Sequence, residues 1–279
     1  MKKIFNPLLK LFVRSNLGWR LSKYFLRLAE WLRFERSKYD SAIAERKLQY
    51  FFKEKVVING YFKGIEYSEF ATFGSSLFPK LSGNYESELF PFFKEIANKN
   101  YTSIIDVGCA EGFYAVGMAI KYPSANIFAY DIEEPARKLC RSLADFNGVG
   151  DRVFINAGCD SQTLKSLDSG ISHLIICDCE GFERKLFNQD SIQSLLKSDL
   201  LIEMHPMHEP DVKEYLFKLF EKTHQLKIIS SYDDDRKIHD LPKEFEDFSA
   251  LERLKLVQEG RVFSMDWLIA VPKIITDVR

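Results

Sequence analysis

From residue 101 onward the chain alternates short, nearly unbroken apolar runs with stretches of helical length. "TSIIDVG", "NIFAYD", "DRVFINAG", "ISHLIICD" and "DLLIEMH" are separated by "GFYAVGMAIKYP", "EPARKLCRSLADFNGV", "SQTLKSL" and "ERKLFNQDSIQSLLKS". A strand with apolar residues on both faces must be covered on both faces, and in-between segments long enough for a crossover helix supply that cover. The helix "DVKEYLFKLFEKTH" and the strands "LKIISS" and "SMDWLIAVP" complete the pattern. The expectation is an α/β fold with a doubly wound, mostly parallel seven-stranded sheet of Rossmann-like type.

The region before it reads differently. Residues 1–82 are expected to form a basic helical extension and a connecting segment, and residues 83–279 the α/β domain. In the extension, Leu21, Tyr24, Phe25, Leu28, Trp31 and Leu32 recur three or four apart, with Arg20, Lys23, Arg27 and Arg33 between them. Residues 1–48 carry 12 Lys/Arg against 4 Asp/Glu, a balance of +8. The whole chain is −1, so the remainder sums to −9. The first expectation is that the helix packs its aromatic stripe on the main domain. The alternative is peripheral contact of residues 1–48 with anionic lipid or another acidic partner. "NYESELFPFFKEIANKN" is expected to be a helix with Leu89, Phe92, Phe93 and Ile96 on one side. "DDD" at 233–235 reads as a solvated turn. Five cysteines without a secretory signal suit free thiols in a reducing, cytoplasmic setting, and no apolar run is long enough to span a bilayer.

Ligands of such sheets bind beyond the carboxyl ends of the strands. The first exit is "DVGCAEGF", residues 106–113, where Gly108 and Gly112 allow a tight turn and a close backbone approach. A dinucleotide fingerprint would place glycine where Ala110 and Phe113 stand. The second strand ends in Asp131, 19 residues after Gly112, with Ile132 beside it. The third exit, "NAGCD", offers Gly158, Cys159 and Asp160 by position. The fourth, "CDCEGFE", holds Asp178, Glu180, Gly181 and Glu183, with Cys177 and Cys179 sent to the opposite face by strand alternation. Two thiols one residue apart lack the spacing of a zinc or redox pair, so packing is their expected role. The fifth, "LLIEMHP", adds Glu203 and His205.

The series Asp106, Gly108, Ala110, Gly112 resembles the first motif of class I S-adenosylmethionine-dependent methyltransferases, and Asp178, Glu180, Gly181 and Glu183 resemble the signature of their FkbM-type branch. The resemblance spans roughly residues 83–210. It departs at Cys109, Ala110 and Glu111, where the branch commonly shows Ala-Asn and another residue. It implies S-adenosylmethionine as cofactor, held by Asp106, Gly108, Cys109, Ala110, Glu111, Gly112, Asp131, Ile132, Gly158, Cys159 and Asp178. It also implies O-methylation of a small-molecule or glycan hydroxyl. Catalytic candidates are His205, as a neutral base near pH 7, with Asp178 and Glu180. A divalent ion such as Mg²⁺ among Asp178, Glu180, Glu203 and His205 stays open, with no metal ligand assigned. The second reading is methylation of nucleic acid or protein, or a binding module of the same fold. Nucleic acid is not expected: amino-group methylation of bases suits an Asn/Asp-Pro-Pro-aromatic turn, which "DCEG" is not. Oligomeric state is not written in the sequence.

Overall fold

A computed structural model describes residues 9–261 and 265–273. The chain forms two compact units, Met1–Phe51 and Phe52–Arg279. The first is dominated by helix α1, Asn16–Phe51. No helix among the described residues is long and apolar enough to cross a membrane.

The second unit opens with an irregular stretch tied by an antiparallel bridge between Val56 and Glu66, then α2 (Leu77–Ser82) and α3 (Phe90–Ile96). The expected single helix over 84–100 is instead a 3₁₀ turn, Ser87–Leu89, followed by α3. Pro91, near the start of α3, has no N–H to extend a helix backwards. Leu89, Phe92, Phe93 and Ile96 are all buried, as the spacing required.

Seven strands follow: β1 (Ser103–Val107), β2 (Asn126–Tyr130), β3 (Val153–Asn156), β4 (His173–Cys177), β5 (Asp199–Met204), β6 (His224–Ser230) and β7 (Asp266–Pro272). Ser264, at the start of the last expected strand, lies outside the described residues. Helices α4 (Phe113–Lys121), α5 (Glu134–Phe146), α6 (Ser161–Lys165), α7 (Glu183–Leu186) and α8 (Val212–Phe220) form the crossovers. The short helices α9 (Asp234–His239) and α10 (Ala250–Lys255) lie between β6 and β7. The strand order is β3-β2-β1-β4-β5-β7-β6, parallel except for β7, which runs antiparallel between β5 and β6. Every residue of β1, β4 and β5 is buried, which explains their unbroken apolar sequences.

Two further expectations fail locally. "ERKLFNQDSIQSLLKS" is not one helix: α7 stops at Leu186 and a 3₁₀ turn covers Ile192–Leu195. Asn188 Oδ1 accepts the amides of Asp190 and Ser191 at 2.9 and 3.3 Å, an Asx turn that outcompetes helix continuation. "DDD" is not a plain turn either. Asp233 caps α9 by accepting the Arg236 amide at 2.9 Å, and Asp234 and Asp235 fill the first turn, where helix dipole and acid attract.

Candidate functional site

Strand order reverses at β1, which lies between β2 and β4. There the register Val107↔Cys177 sets the glycine loop beside the exit of β4. The Asp178 amide donates to the Val107 carbonyl at 2.8 Å. A Cβ on Gly108 would stand 1.6 Å from the Asp178 carbonyl oxygen, so only glycine lets the two exits touch. Gly108 has φ +81° and the next-but-one residue, Ala110, has φ +48°. Glu180, across the exit, has φ +51°. Two non-glycine residues in the left-handed region mark a backbone held in place by its surroundings, a trait concentrated at functional sites.

These exits surround a cavity of about 820 Å³. Gly108, Cys109, Ala110, Asp131, Ile132 and Gly158 line one part, and Cys159, Asp160, Asp178, Cys179 and Glu180 another. Asp131 is clamped: Ala110 N–H donates to Oδ2 at 2.9 Å and Glu133 N–H to Oδ1 at 2.8 Å. Ile132 is 81% exposed. Asp160 also caps α6 through the Thr163 amide. Three expected residues stand behind the wall. Asp106 is buried, and burial pushes its carboxyl up to about 7. Gly112 packs on α5, where a Cβ would meet Cys140 Sγ at 2.7 Å. Glu111 is buried and spends its carboxylate on Lys80, on the Phe73 amide at 3.3 Å and on Tyr67 Oη at 3.5 Å. It thereby fastens residues 67–80, whose Phe73, Ser75 and Lys80 form a further wall of the cavity.

Cys177 is fully buried in the core, and Cys179 forms part of the cavity wall with its sulfur 3.4 Å from that of Cys177. All five cysteines are free.

His205 is buried and does not line the cavity. Its Nδ1 lies 2.6 Å from Glu183 Oε1, a hydrogen bond that leaves Nε2 facing Asp178 Oδ1 at 3.4 Å, Glu203 Oε2 at 3.4 Å and Glu180 Oε2 at 3.5 Å. Burial opposes its charge, but the hydrogen bonds to Glu183 and Glu203 and the field of Asp178 outweigh it and push the imidazole up to about 11. This setting favours the imidazolium form of His205, in place of the neutral base expected from the sequence. Glu203 also pairs with Arg261. Burial works against its charge, yet His205 and Arg261 bring its carboxyl down to about 2. Asp178 goes the other way. Burial, reinforced by Glu203, raises its carboxyl well above the usual range despite His205. Its side chain is 31% exposed, while Oδ1 itself is buried without a hydrogen-bond partner.

Asp178, Glu203 and His205 each offer an atom within 4.8 Å of the others, a spacing compatible with a metal ion. His205 faces both of these carboxylates, and Arg261 pairs with that of Glu203. Arg261 also pairs with Glu86 and, at 2.9 Å, with Glu259. Lys237 pairs with Glu259 and, at 3.3 Å, with Glu88. None of Arg261, Glu86, Lys80 or Lys237 stood out in the sequence.

A seven-stranded sheet with one antiparallel strand inserted next to its edge, and a glycine loop at its switch point, decides the architecture. This is a doubly wound, Rossmann-like α/β fold. No family model matches the chain. A stretch of 75 residues is 32% identical to the release factor glutamine methyltransferase of Chlorobaculum tepidum, 26% of each chain, so the chain spans about a quarter of that curated relative's length. Among solved structures, a SAM-dependent methyltransferase of Geobacter sulfurreducens in complex with S-adenosyl-L-homocysteine is 11% identical, with a TM-score of 0.44 over 67% of this chain and 90% of that one. The precorrin-6y C5,15-methyltransferase of Geobacter metallireducens is 10% identical (TM-score 0.46; 67% and 88%), and an rRNA methylase of Streptococcus thermophilus 11% identical (TM-score 0.40; 67% and 97%). Likeness at this level carries nothing about substrate.

Proposed function

We propose that this chain is an S-adenosylmethionine-dependent methyltransferase acting on a hydroxyl of a sugar, polysaccharide or related natural product. The observation that carries the reading is the clamped Asp131. Two backbone amides fix its carboxylate at the cavity wall, and each oxygen keeps a lone pair free for a ribose diol. Ile132 stands beside it for an adenine face, and Gly158, Cys159 and Asp160 stand for the adenine edge. The Gly108 loop gives the close backbone approach that such a ligand needs. At about 820 Å³ the cavity is toward the upper end of ligand-pocket sizes, and Asp178 and Glu180 line it where an acceptor would stand.

S-adenosylmethionine, when bound, would supply an electrophilic sulfonium methyl whose sulfur–carbon bond breaks to leave S-adenosylhomocysteine. The chain's own part is to align the acceptor oxygen and to take its proton as the new carbon–oxygen bond forms. Asp178 faces the cavity, and burial raises its carboxyl well above the usual range, which makes its carboxylate a stronger base. His205, charged and buried behind it, positions that carboxylate and balances its charge. Glu180 reaches the same space from the rim. The likeness of Asp178, Glu180, Gly181 and Glu183 to the FkbM-type signature favours a hydroxyl over a base amino group.

The test is transfer of an isotopically labelled methyl group to hexose-containing polysaccharides, RNA and glutamine-containing peptides in parallel. Label should appear on glycan hydroxyls, and Asp178→Asn should cut the rate by about 10²–10⁴. The acid limb of the rate profile should have a midpoint above the ordinary carboxylate range. Label on RNA or on peptide amides alone overturns the acceptor class. Binding of S-adenosylhomocysteine without transfer to any of them supports the binding-module reading.

A further inference from the structure

Helix α1 has a feature that the proposed chemistry does not use. Leu17, Leu21, Tyr24, Phe25, Leu28 and Trp31 are exposed, from 42% for Leu21 to 70% for Leu17. At about 100° per residue they fall within an arc of about 120° along four turns. Leu32, also exposed, lies inside the same arc. Arg20 and Arg27 border one edge of the stripe, with Lys23 beyond them. From residue 9 to 34 the chain carries six basic residues (Lys10, Arg14, Arg20, Lys23, Arg27, Arg33) and one acid, Glu30.

We propose that this stripe lies in the surface of an anionic bilayer, with the helix parallel to the membrane plane. Leucine and phenylalanine side chains enter the acyl boundary. Trp31 and Tyr24 suit the headgroup level, where an apolar ring with a polar edge is favoured. The long Arg20 and Arg27 side chains border the stripe and can extend to lipid phosphates while their stems stay on apolar surface. Charge complementarity selects anionic lipid, since a neutral surface would not draw on the basic residues.

A second copy of the chain is the competing occupant. Leu17, Leu21, Tyr24, Leu28 and Trp31 follow the 4-3-4-3 spacing of a coiled-coil seam. The next seam positions are Glu35 and Lys38, however, which pair with each other at 3.5 Å. The run is thus about two heptads, short of the three to four that a coiled coil sustains. Phe25 and Leu32 also widen the stripe beyond a seam, to the breadth of an interfacial helix.

The experiment is cosedimentation of the full-length protein with vesicles of phosphatidylcholine alone and with about one third phosphatidylserine, across a salt series. Thermal melts confirm folding of each variant. The protein should sediment with the anionic vesicles at low salt and be released as salt rises past the physiological range. The double change Phe25→Glu with Trp31→Glu, at exposed positions, should abolish sedimentation. Reversing Arg20, Lys23 and Arg27 to Glu should weaken it on the order of a hundredfold. No sedimentation at low salt, or unchanged sedimentation of the Phe25→Glu, Trp31→Glu protein, overturns the proposal. So does a protein that dimerises through the stripe, shown by light scattering of wild type and variant, without binding vesicles.

Discussion

His205 carries a charge that the carboxylates around it share, and this fixes how the site answers to pH. A folded-state imidazole at about 11, against 6.5 when unperturbed, contributes stability that is complete below about pH 6.5 and is lost as pH rises through about 11. The unfolding free energy of the wild type should therefore fall between pH 7 and 10, and His205→Gln should remove that fall. The substitution should also cost about 3–5 kcal/mol near neutral pH, because buried carboxylates lose their counter-charge. Equal pH slopes in the two proteins, or an imidazole titrating near 6.5 by NMR, would show that His205 is uncharged. Gly108→Ala is the second residue-scale case. A methyl would sit 1.6 Å from a backbone oxygen at φ +81°, so urea unfolding should show a loss of roughly 2–5 kcal/mol, combining left-handed strain with overpacking. Gly108 and Asp131 were legible because their signal is local: a spacing within one turn and an acid at a strand end. The charge state of His205 was not. It depends on the hydrogen bond to Glu183, 22 residues away, which nothing in the sequence paired with it.

At the scale of elements, the exit of β4 combines packing with chemistry. Cys177 lies in the core beside β5, and Cys179, two residues on, faces the cavity. Cys177→Ala should lower stability by about 1–2 kcal/mol and leave S-adenosylhomocysteine affinity unchanged. A bound zinc lost with that thiol would contradict a packing role. Strands β1, β4 and β5 could be read from unbroken apolar runs, since burial on both faces demands them. The segment after β4 could not. Its apolar spacing suits a helix, while Asn188 and Ser191 offer the backbone a competing set of hydrogen bonds. Asp233 was misread for a related reason: an aspartate before a helix and one in a bare turn look alike until the amide at Arg236 is in place.

Over the whole molecule, the ion pairs at the back of the site join distant parts of the chain. Arg261 links Glu86, 175 residues away, to Glu203 and Glu259. Arg261→Leu should destabilise the protein by about 3 kcal/mol, since three carboxylates lose their common partner. A change within ±0.5 kcal/mol in chemical denaturation would mean that solvent already screens the group. Such a network is invisible in sequence because each partner is an ordinary charged residue and only the long-range fold pairs them. The charge asymmetry between the two ends of the chain, in contrast, was plain from counting. The central claim is that Asp131 and the glycine loop hold S-adenosylmethionine. Calorimetric titration with S-adenosylhomocysteine tests it most directly: the wild type should bind one equivalent, and Asp131→Ala should bind about 1–3 kcal/mol more weakly. A wild type that does not bind, or an Asp131→Ala protein of unchanged affinity, would contradict it.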